Sequence, residues 1–332
     1  MTRHIILAYG RETEHWRATF AVLSFWAWYG GNREDVKTVI FTDKPEFFAP
    51  YLTGLPVEYS VLTTPELEKM YGPQRYIHRA KLVILEQTLQ AHPEDNVLFC
   101  DSDTFFITAA EPMIQRLQAG TTIMHLCEFT VADAVGVYAS FSPAQDEYPR
   151  KLIQLIESRD FWVGAKSFRF SKDQFIWNSG VLGLTKEVGG LMPDICALND
   201  DLYAGSGWIT SEQIAFSFAL QETTTIIPSD QYVFHYWGKQ QKVLMDSLLP
   251  ELGTTPFKKL ALEERLEEVR QLTDKWQRAV ELDKVREGAL YAFSHGELFN
   301  GLKRTAKAIL VSRFDAAFTK ELLVTARKSY SN

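Results

Sequence analysis

The segment Val97-Leu98-Phe99-Cys100-Asp101-Ser102-Asp103 passes from four apolar residues directly into a pair of carboxylates. A short apolar run of this kind is typical of a buried strand. Two carboxylates at positions i and i+2 beyond such a strand can both face one cleft once the chain turns. There they could hold a divalent cation against a diphosphate. The alternative interpretation of Asp101 and Asp103 is a turn with two solvated carboxylates.

Strand and helix patterns alternate upstream of this segment. Apolar runs predict strands at His4–Tyr9, Val36–Phe41 and Val57–Leu62. One helical pattern begins at Thr13-Glu14, and a second covers Tyr76–Gln90. This alternation indicates a parallel sheet with helices on both faces. Ligands of such sheets bind beyond the carboxyl ends of the strands, which is where we expect Asp101 and Asp103.

The composition excludes several classes of protein. Of the 332 residues, 46% are hydrophobic and 23% are charged, so disordered and fibrous architectures are excluded. The formal net charge of −7 argues against a nucleic-acid partner. Cys100, Cys127 and Cys196 have no metal-binding spacing and cannot all pair, which predicts a reduced, cytoplasmic protein.

Two later segments carry polar residues suited to a binding site. In Trp177-Asn178-Ser179-Gly180-Val181, the amide of Asn178 could reach a sugar hydroxyl while Gly180 allows close approach. An ordinary transition from a loop to a strand is the alternative. In Thr210-Ser211-Glu212-Gln213, Glu212 and Gln213 occupy the first turn of a predicted helix. Helix capping by Thr210 or Ser211 alone would account for that segment.

A third segment, Phe234-His235-Tyr236-Trp237-Gly238-Lys239, places a histidine at the end of a predicted strand. His235 could supply a nitrogen ligand to a metal ion, and Lys239 could supply a cation to a phosphate. A structural histidine is the alternative.

In this order, the segments resemble the nucleotide-sugar-dependent glycosyltransferases of the GT-A fold, especially the retaining family 8 type. That type includes glycogenin and bacterial lipooligosaccharide galactosyltransferases. The resemblance covers about residues 4–242. It consists of Ala8-Tyr9, the basic residues Arg79 and Lys81, Asp101-Ser102-Asp103, Asn178-Ser179-Gly180-Val181, Glu212-Gln213 and His235-x-x-Gly238.

The resemblance implies an α/β protein with a Rossmann-like mixed sheet flanked by helices and a helical C-terminal extension. It implies a metal site formed by Asp101, Asp103 and His235, and catalytic roles for Asn178, Glu212 and Gln213. The donor-binding residues it implies are Ala8, Tyr9, Arg79, Lys81, Asp101, Ser102, Gly180, Gly238 and Lys239. A histidine ligand favours Mn²⁺ over Mg²⁺, which prefers oxygen ligands.

The chain departs from the family pattern at two points. It has Glu212-Gln213 where the family has Asp-Gln, and the sixth position after His235 is Gln241 instead of lysine. Lys239 and Lys242 flank that position, so the lysine that would contact the diphosphate is left open.

The function that the resemblance implies is transfer of a hexose or N-acetylhexosamine from a UDP-sugar to a hydroxyl acceptor, metal-dependent and with retention. One alternative is a non-catalytic sugar-nucleotide-binding module. Another is a phosphatase of the haloacid dehalogenase type, whose D-x-D-x-[TV] motif resembles Asp101-x-Asp103. Phe105 stands at the fifth position of that motif here.

The chain divides into a predicted catalytic domain, 1–245, and a helical extension, 246–332. Residues 297–332 hold seven basic and three acidic residues, a net charge of +4 on an acidic protein. Their apolar residues recur at helical spacing: Leu298, Phe299, Leu302, Ala306, Ile309, Leu310, Phe314, Ala317 and Phe318. Such a helix could dock on the catalytic domain, or it could attach a cytoplasmic protein to the inner face of an anionic membrane and to a lipid-linked acceptor.

Overall fold

The computed structural model describes residues 1–141, 144–294, 298–312, 318–320 and 322–325. Its strands are β1 (Thr2–Ala8), β2 (Val36–Thr42), β3 (Val57–Val61), β4 (Asn96–Cys100), β5 (Thr104–Phe106), β6 (Thr121–Met124), β7 (Cys127–Thr130), β8 (Phe161–Val163), β9 (Lys166–Phe168), β10 (Phe175–Trp177), β11 (Val181–Leu184), β12 (Thr225–Pro228) and β13 (Val233–His235).

The α-helices of the described residues connect and flank these strands. They are α1 (Glu12–Trp28), α2 (Pro45–Leu52), α3 (Thr64–Tyr71), α4 (Arg79–Ala91), α5 (Glu111–Ile114), α6 (Val131–Phe141), α7 (Glu147–Ser158), α8 (Met192–Ser206), α9 (Ser211–Thr223), α10 (Lys239–Leu248), α11 (Thr255–Lys259), α12 (Leu262–Ser294) and α13 (Leu298–Ser312).

The central sheet has seven strands in the order β12-β6-β11-β4-β1-β2-β3. β4, β1, β2 and β3 are parallel, as the alternating pattern predicts. β11 runs antiparallel to both β4 and β6, which makes the sheet mixed. The predicted α/β architecture, a mixed sheet flanked by helices with helices at the C-terminus, is confirmed.

The central strands of the sheet are buried on both faces, because their side chains alternate between two cores. On β1, Ile6 belongs to the core that contains α1, whereas Ile5 belongs to the core that contains α4, α8 and α9. This double burial explains why β1 and β4 are recognisable as short apolar runs.

The first half of α12 completes one of these cores. Trp276 is fully buried, and its ring centroid lies 4.5 Å from that of Phe20 on α1. The distal half forms a separate small cluster with α13, centred on Ala289, Ala308 and Phe318. The predicted extension therefore begins as part of the hydrophobic core of the sheet, and the boundary at 245/246 stays a prediction. Phe314, Ala317 and residues 326–332 lie outside the described part of the chain.

No helix among the described residues has both the length and the apolar character needed to cross a membrane.

His4 is a buried titratable residue of the central strand β1. Its Nδ1 lies 3.2 Å from Thr38 Oγ1, its ring stacks on Phe25, and burial lowers its pKa from 6.5 to about 3. Between pH 6.5 and 3, the unfolded chain binds a proton at His4 that the folded chain does not. The free energy of unfolding is therefore unaffected by His4 above pH 6.5 and falls as the pH is lowered towards 3.

We therefore expect the free energy of unfolding to fall by about 1.4 kcal/mol per pH unit below pH 6 because of His4 alone. His4→Asn keeps a donor towards Thr38 but does not titrate, so it should show a shallower slope than the parent between pH 6.5 and 5. Urea unfolding at several pH values measures both slopes. Equal slopes would contradict the assignment to His4.

Candidate active site

A cavity of about 470 Å³ opens beyond the carboxyl ends of the parallel strands. Its lining includes most of the residues singled out in the sequence: Lys81, Asp101, Ser102, Asp103, Asn178, Gly180, Glu212, Gln213 and His235. β11 is responsible for part of this convergence. Because it is antiparallel, its N-terminal end lies at the same edge as the carboxyl end of β4, and Val181 pairs with Cys100.

Asp101, Asp103 and His235 form a group of possible metal ligands. One ligand atom from each lies within 4.8 Å of the other two. The turn after β4 supplies the carboxylates, and antiparallel pairing of β13 with β5 brings His235 beside them. A backbone hydrogen bond from Tyr236 N to the Asp103 carbonyl, 3.0 Å long, fixes this approach. The predicted juxtaposition of these three residues is therefore present.

Asn178 fixes the orientation of the His235 ring. Its Oδ1 accepts a hydrogen bond from Gly180 N (2.9 Å) and lies 3.0 Å from His235 Nδ1. Since Oδ1 can only accept, Nδ1 donates to it, and Nε2 faces Asp103 Oδ1, 3.4 Å away. Nε2 is therefore the ring nitrogen that faces the carboxylates and could ligate a metal ion, while the Asn178 carboxamide holds the ring through Nδ1.

Gly180 is required where it stands. A β-carbon at this position would lie 2.3 Å from the His235 ring and 3.0 Å from Asn178 Oδ1. The group that approaches Gly180 closely is the imidazole of His235, and a donor-binding role for Gly180 stays a prediction.

Glu128, on β7, is a cavity residue that the sequence analysis missed. Its two carboxylate oxygens accept hydrogen bonds from Asn178 Nδ2 (3.0 Å) and Gln213 Nε2 (2.9 Å). It therefore joins the β11 loop to the first turn of α9. No neighbouring motif marks this residue in the sequence, because its partners lie 50 and 85 positions away.

Lys81 is a buried ammonium group at the centre of the polar end of the cavity. Its Nζ lies 3.1 Å from Asp101 Oδ1, 2.9 Å from Glu212 Oε1 and 3.1 Å from the Ser179 carbonyl oxygen. Burial alone would lower the pKa of Lys81, but the two carboxylates outweigh it and hold that pKa above its usual value. Burial raises the pKa of Asp101, and the positive charge of Lys81 offsets only part of this rise.

The side chain of Glu212 is positioned by tertiary contacts. Its Oε1 also accepts a 2.8 Å hydrogen bond from Ser179 Oγ. Thr210 makes no side-chain capping bond, and Ser211 Oγ donates instead to the Trp208 carbonyl at 2.6 Å. The capping explanation of this segment is wrong, since the helix is placed to direct Glu212 and Gln213 into the cavity.

Lys242, on the first turn of α10, contacts Asp103. Its Nζ lies 2.7 Å from Asp103 Oδ2. Burial would raise the pKa of Asp103, but the adjacent His235 and Lys242 hold it well below its usual range. Of the two lysines that flank Gln241, Lys242 lines the cavity, whereas Lys239 is not among the lining residues that the structure describes.

A chain of ionic contacts joins the carboxylate turn to α10. Ser102 Oγ donates to Glu14 Oε2 at 2.8 Å, Glu14 pairs with Arg17 at 2.6 Å, and Arg17 donates through Nε and Nη2 to both oxygens of Asp246, each at 2.7 Å. Asp246 lies one helical turn beyond Lys242. The fork of Arg17 therefore holds the helix that carries Lys242 against α1.

Five predicted donor-binding residues do not line the described cavity. Arg79 instead pairs with Asp200 on α8 at 2.8 Å. The others are Ala8, Tyr9, Gly238 and Lys239. Ala8 is the buried end of β1, and Tyr9 OH lies 2.8 Å from Thr64 Oγ1. Their donor-binding roles stay predictions.

Comparison with known proteins gives a likeness to solved glycosyltransferases. No protein-family model and no curated protein matches the sequence. Mouse xyloside xylosyltransferase 1 is 11% identical, with a TM-score of 0.43, over 69% of this chain and 85% of that one. The galactosyltransferase LgtC, in complex with donor and acceptor sugar analogues, is 12% identical, with a TM-score of 0.48, over 76% and 97%.

The bifunctional glycosyltransferase WbbM is 10% identical, with a TM-score of 0.45, over 69% of this chain and 39% of that one. All three are glycosyltransferases, the class that the sequence resemblance indicates. The assignment of a function to this chain rests on the residues of its own cavity.

Arg17→Lys tests the ionic chain, because lysine keeps the charge but cannot donate to both oxygens of Asp246. We expect the free energy of unfolding to fall by about 2 kcal/mol, since hydrogen bonds to a partly buried carboxylate are lost. The matched control is Arg33→Lys, whose exposed bond to Glu263 should contribute less than about 0.5 kcal/mol. Urea unfolding compares them, and equal losses would contradict the role of Arg17.

Proposed function

We propose that this protein is a metal-dependent glycosyltransferase that moves a sugar from a UDP-sugar to a hydroxyl acceptor with retention. The observation that carries the proposal is the group formed by Asp101, Asp103 and His235 at the carboxyl edge of the sheet, with the His235 ring set by Asn178. UDP as the nucleotide and retention as the stereochemical course rest on the sequence resemblance.

The donor set fits a divalent transition metal. Two carboxylates and one imidazole, whose Nε2 faces them, offer mixed oxygen and nitrogen ligands, a combination that suits Mn²⁺ better than Mg²⁺. Asp101, Asp103 and His235 would hold the ion. When bound, it would supply Lewis-acid stabilisation of the departing diphosphate.

The lysines of the cavity supply further positive charge. Lys242 is partly exposed at the cavity wall, so its ammonium group can reach a phosphate oxygen as well as Asp103. Lys81 is buried in the cavity wall between Asp101 and Glu212, where its positive charge compensates both carboxylates. Preorganised charges of this kind stabilise the negative charge that develops on a leaving group without reorganisation during the reaction.

Glu212 and Gln213 are placed to act on the donor sugar. The Glu212 carboxylate is buried and already oriented by Ser179 and Lys81, so its negative charge can stabilise positive charge developing at the reacting carbon. Gln213, held by Glu128, can offer its amide to a sugar hydroxyl. The acceptor hydroxyl must lose its proton on attack, and the departing phosphate oxygen is a base available in the same reaction.

Asp103→Asn should remove a ligand charge and lower metal-dependent UDP release by at least about 10²-fold. The measurement is UDP release from a panel of UDP-sugars with Mn²⁺, together with Mn²⁺ binding by calorimetry. Asp160→Asn is the matched control, because Asp160 is exposed and pairs only with the surface residue Arg169 among its described contacts. Full turnover in Asp103→Asn would refute the proposal, and UDP-sugar binding without turnover in the parent would indicate the non-catalytic module.

We further propose that α13 attaches a cytoplasmic protein to the inner face of an anionic membrane. Phe299 is 80% exposed, and Leu302, Ala306 and Ile309 recur on the same helical face. Gly301 and Ala308, on the opposite face, are buried. The helix Leu298–Ser312 carries three basic residues and no acidic one, which complements an anionic surface.

Phe299→Ser combined with Leu302→Ser should reduce binding to anionic vesicles at low salt several-fold, because the exposed apolar face can no longer enter the lipid interface. Co-sedimentation with anionic and neutral vesicles, at low and high salt, measures this. Val61→Ser, at an exposed valine of β3, is the control. If the parent binds anionic vesicles no better than neutral ones, membrane attachment is wrong.

A further inference from the structure

Three large apolar side chains stand exposed at the mouth of the cavity. Ile77 is 57% exposed, Ile209 is 59% exposed and Trp237 is 57% exposed, and all three line the cavity. They come from three separate loops, before α4, before α9 and after β13. We call them the apolar rim. A cluster of exposed apolar residues around a polar cavity is typical of a surface that is covered when a ligand binds.

Two of the three loops of the apolar rim are held in place by a buried tyrosine. Tyr76 OH donates to the Ile209 carbonyl at 2.7 Å and accepts a hydrogen bond from Glu212 N at 3.2 Å. Its ring stacks on Tyr203 with centroids 4.0 Å apart, and burial raises its pKa far above the usual value, so the hydroxyl keeps its proton. The loops of Ile77 and Ile209 are thereby fixed to each other and to the backbone of Glu212.

The apolar character continues inward along one wall. Val137 and Tyr138 of α6 line the cavity with Trp208, whose ring meets that of Tyr138 edge-on at 5.0 Å. The carboxylates and lysines occupy the other wall. The cavity therefore has one polar wall, suited to a charged donor, and one apolar wall that ends at the apolar rim.

We propose that the apolar rim binds the acceptor, and that the acceptor is a glycoside whose apolar aglycone lies close to its reactive hydroxyl. This rests on the proposed function, since it assigns the second substrate of the same site. Ile77 and Ile209 would cover an alkyl or aryl group, and Trp237 would pack its ring against a sugar face. A fully polar acceptor would leave the two isoleucines exposed to water and gain nothing from them.

The test compares the binding of methyl, n-octyl and 4-nitrophenyl β-D-glucosides and β-D-galactosides to the full chain with UDP and Mn²⁺, below micelle-forming concentrations. We expect the octyl or nitrophenyl glycosides to bind at least about tenfold more tightly than the methyl glycosides, which burial of about two methylene groups would supply. A preference for octyl alone indicates a lipid-linked acceptor. An equal preference for nitrophenyl indicates an aryl glycoside.

Rim variants locate the preference. Trp237→Ala, and Ile77→Ser combined with Ile209→Ser, should each reduce the preference over methyl glycosides at least threefold. Trp162→Ala should retain it, because Trp162 is 65% exposed but lies outside the described cavity lining. Thermal unfolding followed by circular dichroism checks that each variant is folded. Because glycoside binding is measured without turnover, failure of this proposal can be distinguished from failure of the proposed transferase activity, which UDP release by Asp103→Asn tests.

Two outcomes would overturn the proposal. The first is equal affinity for methyl, octyl and nitrophenyl glycosides in the parent. The second is an apolar preference that survives in both folded rim variants. If those variants instead lose a self-association that the parent shows in sedimentation, the rim belongs to an interface between two copies of this chain.

Discussion

Antiparallel pairing of β11 with β4 is the constraint on which the site depends. The parallel strands alone would bring only carboxyl-terminal loops to one edge of the sheet. Because β11 runs the other way, the loop that enters it lies at the same edge, and Asp101 N donates to the Gly180 carbonyl at 2.8 Å. This backbone contact unites residues nearly eighty positions apart. The histidine-orienting amide, the carboxylate turn and the Lys81 ammonium group all meet around it.

The buried charges of the cavity are stable only because they compensate one another. Asp103, Glu212 and Lys81 are nearly inaccessible to water, and each of them is paired with an opposite charge within 3 Å. Burying an unpaired charge costs several kcal/mol, so removal of one member leaves its partner at that cost. The same low dielectric that makes the set costly also strengthens its action on a charged ligand. Stability and reactivity here come from one arrangement.

Much of the fold could be predicted from the sequence because double burial makes the central strands β1 and β4 short apolar runs. Of the site, the residues in Asp101–Asp103, Asn178–Gly180, Glu212-Gln213 and His235 were found because each adjoins a strand end or begins a helix. Arg79 and Lys81 show the limit. They lie two positions apart on α4 and therefore point in different directions, one towards Asp200 and one into the cavity. No local pattern decides between them.

Long-range contacts set the remaining residues. The site also includes three residues whose partners lie 50 to 139 positions away in the sequence, namely Glu128, Lys242 and Tyr76. The capping explanation of Ser211 was wrong because a residue that caps a helix and one that makes a tertiary contact have the same sequence pattern. Hydrophobic periodicity reports which face of an element is buried. It does not report which polar side chain, at the end of that element, meets another.

At Gly180, a β-carbon and the His235 ring compete for one volume. A chain that acquired alanine there could keep its sheet by turning the imidazole aside, and it would lose a nitrogen ligand in doing so. Substitutions at positions 178, 180 and 235 are therefore coupled, because the space that holds the imidazole depends on all three side chains. The absence of one methyl group at position 180 therefore decides whether the folded chain keeps the His235 ring in its site.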